Sequence, residues 1–296
     1  MKRNIAKLAV VLGLAGALAA PTSALAWGAQ GHRTVAAIAA QLLPPAKLKA
    51  MDALMSKLKS NKNFIDSASY ADEYLRNAEP QTKPWHFADL VDGGPDARHF
   101  ACVAPNPKTH VMETCLFDEL AANLAIIRQG KHDAAEAVAL SWVIHLVGDL
   151  HQPLHMEDAD VGGNFFPVTY RSSGACIGTS KVELHSVWDD CLVGEAETGL
   201  ASGPHGQSVA FAAALLGPIK TYKGRPEINP SVADPWYDWG DASHALAIKV
   251  AYDHLKKHDD LKDPYILAPN NAMTTAKTQL LTAGIRLAYL LDTNFK

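Results

Sequence analysis

The sequence predicts a mostly α-helical single domain with little β-structure, and three observations carry that expectation. Apolar residues recur at helical spacing through most of the chain. Proline and glycine gather in two stretches, residues 79–116 and 156–183, which read as two long loops between helical segments. No internal repeat, low-complexity tract or Ser- or Gly-rich linker divides the chain, so one helical domain is the simplest organisation. Loops this long in a compact domain are usually functional or stapled by disulfides.

Residues 1–26 are expected to lie outside that fold. Lys2, Arg3 and Lys7 make a basic start, Leu8 to Ala20 is apolar, and Ala24-Leu25-Ala26 has the small-x-small pattern of a secretory cleavage site. Cleavage after Ala26 would leave a domain over residues 27–296, with Trp27 as its amino terminus. The whole chain has 27 basic and 31 acidic residues, a net charge of −4. Removing the three basic residues of the signal takes the remainder to −7. That balance excludes a protein that grips nucleic acid by a general basic surface. At 48% hydrophobic and 20% charged residues, the chain is an ordinary globular one. No apolar run after the signal approaches the roughly 20 residues of a membrane span.

The elements follow in order. Gly31 to Leu43 is an Ala-rich amphipathic helix stopped by Pro44-Pro45. Ala46 to Lys59 places Leu48, Met51, Leu54, Met55 and Leu58 at helical spacing. Asp66 to Ala78 reads as one helix ending before Pro80, and Phe117 to Gln129 as another ending at Gly130. Asp133 to His151, closed by Pro153, has the strongest helical pattern. Gly206 to Leu216, Asp238 to Lys257 and Asn271 to Leu291 complete the helices, and Phe165 to Tyr170 is strand-like.

The four cysteines, Cys102, Cys115, Cys176 and Cys191, all follow the signal. An even count in an exported protein suggests two disulfides. Of the three possible pairings, the sequence-local one is favoured: Cys102–Cys115 and Cys176–Cys191. Four thiols or a thiolate metal site are the alternatives. The spacings lack the paired C-x-x-C pattern of structural zinc sites.

The chemistry lies in the histidines. There are 13, and two of them open His-x-x-x-Asp pairs: His145 with Asp149 and His185 with Asp189. On a helix that spacing puts both side chains on one face, one turn apart. His155 follows shortly after Asp149, His86 lies beyond a segment offering Asp72, and His32 lies close to Trp27. Any one pair is more often a buried hydrogen-bonded pair than a metal site. Several imidazoles and carboxylates recurring together suit zinc better than magnesium or calcium, which prefer all-oxygen shells.

Read as a set, these motifs resemble the trinuclear-zinc nucleases of the S1/P1 family. The resemblance rests on Trp27-Gly28-Ala29-Gln30-Gly31-His32, Ala71-Asp72-Glu73-Tyr74 and His86-Phe87-Ala88-Asp89. It continues through His145 to Asp149, Leu150-His151-Gln152-Pro153-Leu154-His155, Val161-Gly162-Gly163-Asn164 and His185 to Asp189. The implied fold is the helical zinc-dependent phospholipase C/nuclease type. The resemblance implies three Zn²⁺. Trp27, through its free amine and carbonyl, and His32 would hold one; Asp72, His86 and His145 a second; His155, His185 and Asp189 a third. Asp149 would bridge the first two, which makes Asp72 and Asp149 the catalytic carboxylates. Phe87 would stack on a base, Asp89 would bond its edge, and Asn164 would place an amide near the phosphate or the base.

The implied activity is hydrolysis of phosphodiester bonds in single-stranded DNA and RNA, leaving 5′-phosphates; the sequence leaves 3′-nucleotidase activity open. The protein would be an exported monomer, periplasmic or secreted, and not held by a membrane. Three Zn²⁺ with three aspartates leave a centre near +3, which attracts a phosphodiester without a basic surface and implies modest salt dependence.

Two details stand apart. Relatives often carry an arginine three residues past the first aspartate; here Leu75 holds that place and Arg76 comes one residue later. One α-helical step turns a side chain by about 100°, so Arg76 is expected to miss the phosphate. His151 falls off the ligand face of its helix and is expected behind the ligands or at the surface. The rival readings are a zinc-dependent phospholipase C, which usually ends its ligand set with Glu rather than Asp189, a non-catalytic zinc-storage protein, and a helical binding domain with buried histidines.

Overall fold

The computed structural model describes residues 27–60, 62–102, 104–105, 112–170, 181–261, 263–268 and 271–296. The expected signal peptide at residues 1–26 lies outside them. The principal helices are α1 (Gly28–Leu42), α2 (Pro45–Met55), α3 (Leu116–Ile127), α4 (Ala134–Leu150), α5 (Pro204–Leu216), α6 (Trp236–Leu246) and α7 (Ala272–Asn294). One buried apolar core runs through them, so the expected helical domain stands.

Helix α4 is the centre of that core. Asp133 starts it by accepting the Glu136 amide at 2.9 Å, and the Glu136 carboxylate reaches back to the His132 amide at 2.7 Å. Those bonds satisfy amides that the first helical turn leaves without partners. From Leu140 to Leu150 every residue is buried, because α3 packs on one side while α1 and α7 cross the other. Helix α1 is clasped between α7 and α5. At the first crossing a Cβ on Gly284 would collide with Ile38, so glycine lets the two backbones approach.

Three helical expectations are corrected. The Asp66–Ala78 segment is not one α-helix: it runs as a 3-10 turn over Asp66–Ser69, a π turn over Ala71–Leu75 and a last α turn at Arg76–Ala78. The Arg76 amide bonds Ala71 O, five residues back, so one extra residue is held within the turn. The Asp238–Lys257 segment begins earlier, at Trp236, and widens into a π turn over Ala247–Ala251, beyond which it does not continue. Helix α2 ends at Met55, where the Lys57 and Leu58 amides turn back onto Leu54 O and Met55 O.

The strand-like piece is β3 (Pro167–Tyr170). It pairs antiparallel with β4 (Val182–Glu183) and parallel with β5 (Asp260–Leu261). In the first long loop, β1 (Ala104–Pro105) and β2 (Met112–Glu113) form a two-stranded pair. The Cys102–Cys115 disulfide staples that loop as expected. Cys191 is also disulfide-bonded, and the expected partner Cys176 lies outside the described residues. Among the described residues no helix is long and apolar enough to cross a membrane.

Candidate metal centre

Helix α4 supplies the frame, with His145 and Asp149 one turn apart and fully buried. Helix α1 lays His32 across it. Gly148 makes that approach possible, since a Cβ there would sit 2.6 Å from His32 Nδ1. His32 stacks on His145 with ring centroids 3.8 Å apart, and its Nε2 lies 3.1 Å from Asp149 Oδ1. The Trp27 indole bonds Gly148 O at 2.9 Å, which fixes the start of α1 against the same turn.

The other face of Asp149 meets a second group. His86 Nδ1 lies 3.0 Å from Asp149 Oδ2, and His145 Nε2 lies 3.3 Å from the same oxygen. Asp72 comes in from the π turn, with Oδ2 3.7 Å from His145 Nε2 and Oδ1 3.8 Å from His86 Nδ1. A third group forms where the chain leaves α4. His155 Nε2 faces His185 Nε2 at 3.1 Å, and His185 Nε2 lies 3.1 Å from Asp189 Oδ2. Asp189, like Asp72, sits in a π turn, over Val187–Cys191. The Trp27 backbone nitrogen donates to Asp189 Oδ1 at 3.2 Å, so the start of the described chain touches this group too.

The imidazoles are oriented from behind. The Nδ1–H of His145 donates to Ala68 O at 2.7 Å, that of His155 to His86 O at 2.6 Å, and that of His185 to Gly162 O. Each bond spends the proton on a carbonyl and turns a lone pair on Nε2 inward, as metal-binding histidines require. Two such lone pairs facing one another repel unless a cation lies between them. Both oxygens of Asp72, Asp149 Oδ1 and Asp189 Oδ2 are buried without hydrogen-bond partners. Buried orphan carboxylate oxygens are costly, and a metal ion removes that cost. The donor set therefore fits bound metal.

Three sets of ligand atoms converge: His32, His145 and Asp149; Asp72, His86 and His145; His155, His185 and Asp189. These are three buried clusters consistent with a trinuclear metal site, and every expected side-chain ligand falls in one of them. His145 stands with His32 as well as with Asp72 and His86, which makes it common to two clusters.

Without metal, the protonation balance is strained. Burial pushes Asp72 up to about 6 against the pull of His86. Burial also pushes His155 down to about 4 and His145 well below the usual imidazole range. Asp149 goes the other way: burial would raise it, but His145, His32 and His86 together hold it well below the carboxylate range.

Residues 27–296 match the family described as S1/P1 Nuclease. The chain belongs to the S1/P1 nuclease family. Its relatives include Nuclease S1 of Aspergillus oryzae, 29% identical over 243 residues that span 79% of this chain and 77% of that protein. Nuclease P1 of Penicillium citrinum is 26% identical, covering 88% of this chain and 95% of its own length. Endonuclease 2 of Arabidopsis thaliana is 24% identical, covering 91% and 90%. Membership makes the protein a hydrolase acting on phosphodiester bonds of nucleic acid, which favours the nuclease expectation over the phospholipase one.

In this S1/P1 nuclease the three expected substrate residues line one pocket. Phe87, Asp89 and Asn164 meet there with Val161, Gly162, Glu157 and the cluster residue His185. The Asn164 amide bonds Val161 O at 2.9 Å and lies 3.2 Å from His185 Nδ1. Asp160, Val161, Gly162 and Gly163 all have positive φ, between 50° and 82°. For a β-branched valine that is a strained backbone, and such strain gathers at functional sites. The Gly162-Gly163 pair signalled the turn; nothing local signalled that Val161 would share its geometry.

Sequence reasoning also missed two residues. The buried Gln152 donates to Asp189 Oδ1 at 2.7 Å and accepts from the Leu154 amide at 2.6 Å, so it fixes that carboxylate. Glu157 enters the pocket wall. Arg76 Nη1 lies 3.6 Å from Asp72 Oδ1. His151 is buried behind the ligands, its Nε2 accepting from Arg286 Nη1 at 2.8 Å.

Proposed function

We propose that this protein hydrolyses single-stranded DNA and RNA with three zinc ions and leaves 5′-phosphates on its products. The observation that carries the reading is that three imidazole–aspartate clusters lie together and that His185 of one of them lines a pocket shared with the exposed ring of Phe87. Zinc suits the nitrogen-rich donor sets, which all-oxygen-preferring cations do not. Bound there, it supplies Lewis acidity and lowers the pKa of water from 15.7 toward about 7.

The chain supplies the rest. Trp27 and His32 would hold one zinc; Asp72, His86 and His145 a second; His155, His185 and Asp189 the third. Asp149, with Oδ1 toward His32 and Oδ2 toward His86 and His145, would serve the first two together. Arg76 sets a guanidinium beside Asp72, where it would meet a phosphate lying against that cluster. Phe87 offers a face on which any base stacks, a contact worth roughly 1–3 kcal/mol. Asp89 and Asn164 face the base edge. A pocket that needs a free base face selects single strands over duplexes.

The amine of Trp27 becomes available only when the preceding residues are removed. The complete centre therefore forms in the exported, processed protein, periplasmic or secreted.

The test is release of acid-soluble nucleotides from denatured DNA, RNA and duplex DNA, beside metal analysis, before and after chelation. Hydrolysis of the single strands that chelation abolishes and zinc restores supports the reading. Preference for duplex, or activity unchanged by complete metal removal, overturns it. Release of phosphocholine from lecithin in place of nucleotides would point to the phospholipase reading instead.

A further inference from the structure

The loop that supplies Val161, Gly162 and Asn164 to the base pocket holds an unfavourable backbone. Asp160, Val161, Gly162 and Gly163 stand in the left-handed region one after another. Such a run persists only where its surroundings over-determine it. Within the loop, the Gly163 amide bonds Ala159 O at 3.1 Å, the Asn164 amide Val161 O at 3.1 Å and the Phe165 amide Asp160 O at 2.9 Å. Toward the metal clusters the loop is anchored by Gly162 O, which accepts from His185 Nδ1.

A second anchor comes from the chain beyond α6. The Tyr252 hydroxyl donates to Ala159 O at 2.6 Å, so the carbonyl that closes the turn onto Gly163 is also held from outside. The Tyr252 ring meets Phe166 edge-on, with centroids 5.3 Å apart. Lys257 Nζ lies 2.5 Å from Asp160 Oδ1. Burial, with the nearby carboxylates of Glu157 and Asp160, holds the Tyr252 phenol above its usual range, so it stays a donor. The segment that carries these two side chains is fixed at both ends. Ala251 O accepts from the Tyr265 hydroxyl at 2.9 Å, which accepts from the Trp188 indole at 3.0 Å, next to Asp189. At the other end the Thr169 amide bonds Asp259 O at 2.8 Å, where β3 pairs with β5.

Resting on the nuclease reading, we propose that Tyr252, seconded by Lys257, is a positioning residue for base recognition. It stands outside the residues that line the base pocket and acts through the loop. Its hydroxyl holds Ala159 O, which holds the Gly163 amide, and so sets where Val161 and Asn164 stand in the pocket wall. Loss of the hydroxyl frees this outer anchor and leaves the inner one, between Gly162 and His185, in place. The effect therefore falls on substrate binding and spares the metal clusters. Lys257 acts by a partly exposed ion pair, and pairs of that kind contribute less.

Tyr252→Phe removes the hydroxyl and keeps the ring on Phe166. The zinc-loaded wild type, Tyr252→Phe and Lys257→Met are compared by kinetics on a dinucleoside monophosphate, metal analysis and amide hydrogen exchange. In Tyr252→Phe the amides of Gly163, Asn164 and Phe165 are expected to exchange about ten-fold faster, because the loop opens locally. KM should rise about five-fold, the size of one lost hydrogen bond, with kcat within about two-fold and zinc content unchanged. Lys257→Met should move both readouts the same way, by about two-fold. Should Tyr252→Phe fail to fold, Lys257→Met decides, and unchanged exchange and KM there overturn the role. Unchanged exchange in Tyr252→Phe, or faster exchange with KM at the wild-type value, overturns it while leaving the nuclease reading intact. Loss of zinc and kcat together overturns it as well, since Tyr252 would then support the metal centre. Failure of the wild type to cleave either the dinucleotide or denatured DNA removes the nuclease reading, and the positioning role with it.

Discussion

Arg76 Nη1 lies 3.6 Å from Asp72 Oδ1, across the π turn over Ala71–Leu75. The four-residue spacing puts both side chains on one face of the segment, as it does for His145 and Asp149 on α4.

Arg76→Ala is expected to lower kcat about 10²-fold or more, the usual cost of losing one charge-stabilising donor. Metal content and melting temperature should stay near wild type, and Arg76→Lys should recover part of the loss. Steady-state kinetics beside metal analysis check this. Equal loss of zinc and activity in Arg76→Ala would assign the residue to holding Asp72 rather than phosphate.

Gly148→Ala places a methyl group against the His32 ring, since the Cβ position is only 2.6 Å from Nδ1. His32 must then move off His145 and Asp149. We expect bound zinc to fall from about three to about two per chain with the helical signal retained, read by metal analysis and circular dichroism.

Asp89 is pushed up to about 6 by partial burial, then by the neighbouring carboxylates of Asp158 and Glu157. Below that pH its carboxyl is neutral and both donates and accepts; above it, it only accepts. Preference for guanine, whose N1–H and N2–H groups both donate, over cytosine should therefore grow as pH rises through about 6. The ratio of kcat/KM values for the two measures it. Asp89→Asn, which cannot titrate, should give a flat ratio.

Retention of one residue before Trp27 converts its amine into an amide. Such a form should fold, bind about two zinc ions instead of three, and lose more than about 10²-fold in kcat/KM. Full activity from the extended form would refute the role of the amino terminus.

Removal of all metal leaves orphan oxygens on Asp72, Asp149 and Asp189 inside the core. With zinc held 1,000-fold above its dissociation constant at a single site, linkage gives about 4 kcal/mol of stability. Chelation should therefore lower the melting temperature by about 10 °C, read by calorimetry. No change on chelation would show that metal does not bind the folded chain.

Much of the centre was legible because its rules are local. The four-residue spacing of His145 and Asp149 fixes them on one face of α4 by helix geometry alone. The same arithmetic served His185 and Asp189, and the Cys102–Cys115 pair was readable from its short separation. It did not give the π turn over Ala71–Leu75, because that is a choice between hydrogen-bond partners that one sequence pattern does not reveal. It was silent on Gly148, whose purpose appears only when α1 crosses α4 and brings His32 beside it.

The sequence by itself determined where most helices lie, the Cys102–Cys115 disulfide and the identity of the cluster side chains, since residue type and helical period act over a few neighbours. Only the tertiary structure decided which imidazoles share an aspartate, how Gln152 fixes Asp189, and how Glu157 meets His244. Those relationships join residues distant along the chain, and they exist only where packing brings separate elements together and leaves buried polar atoms to find partners across them.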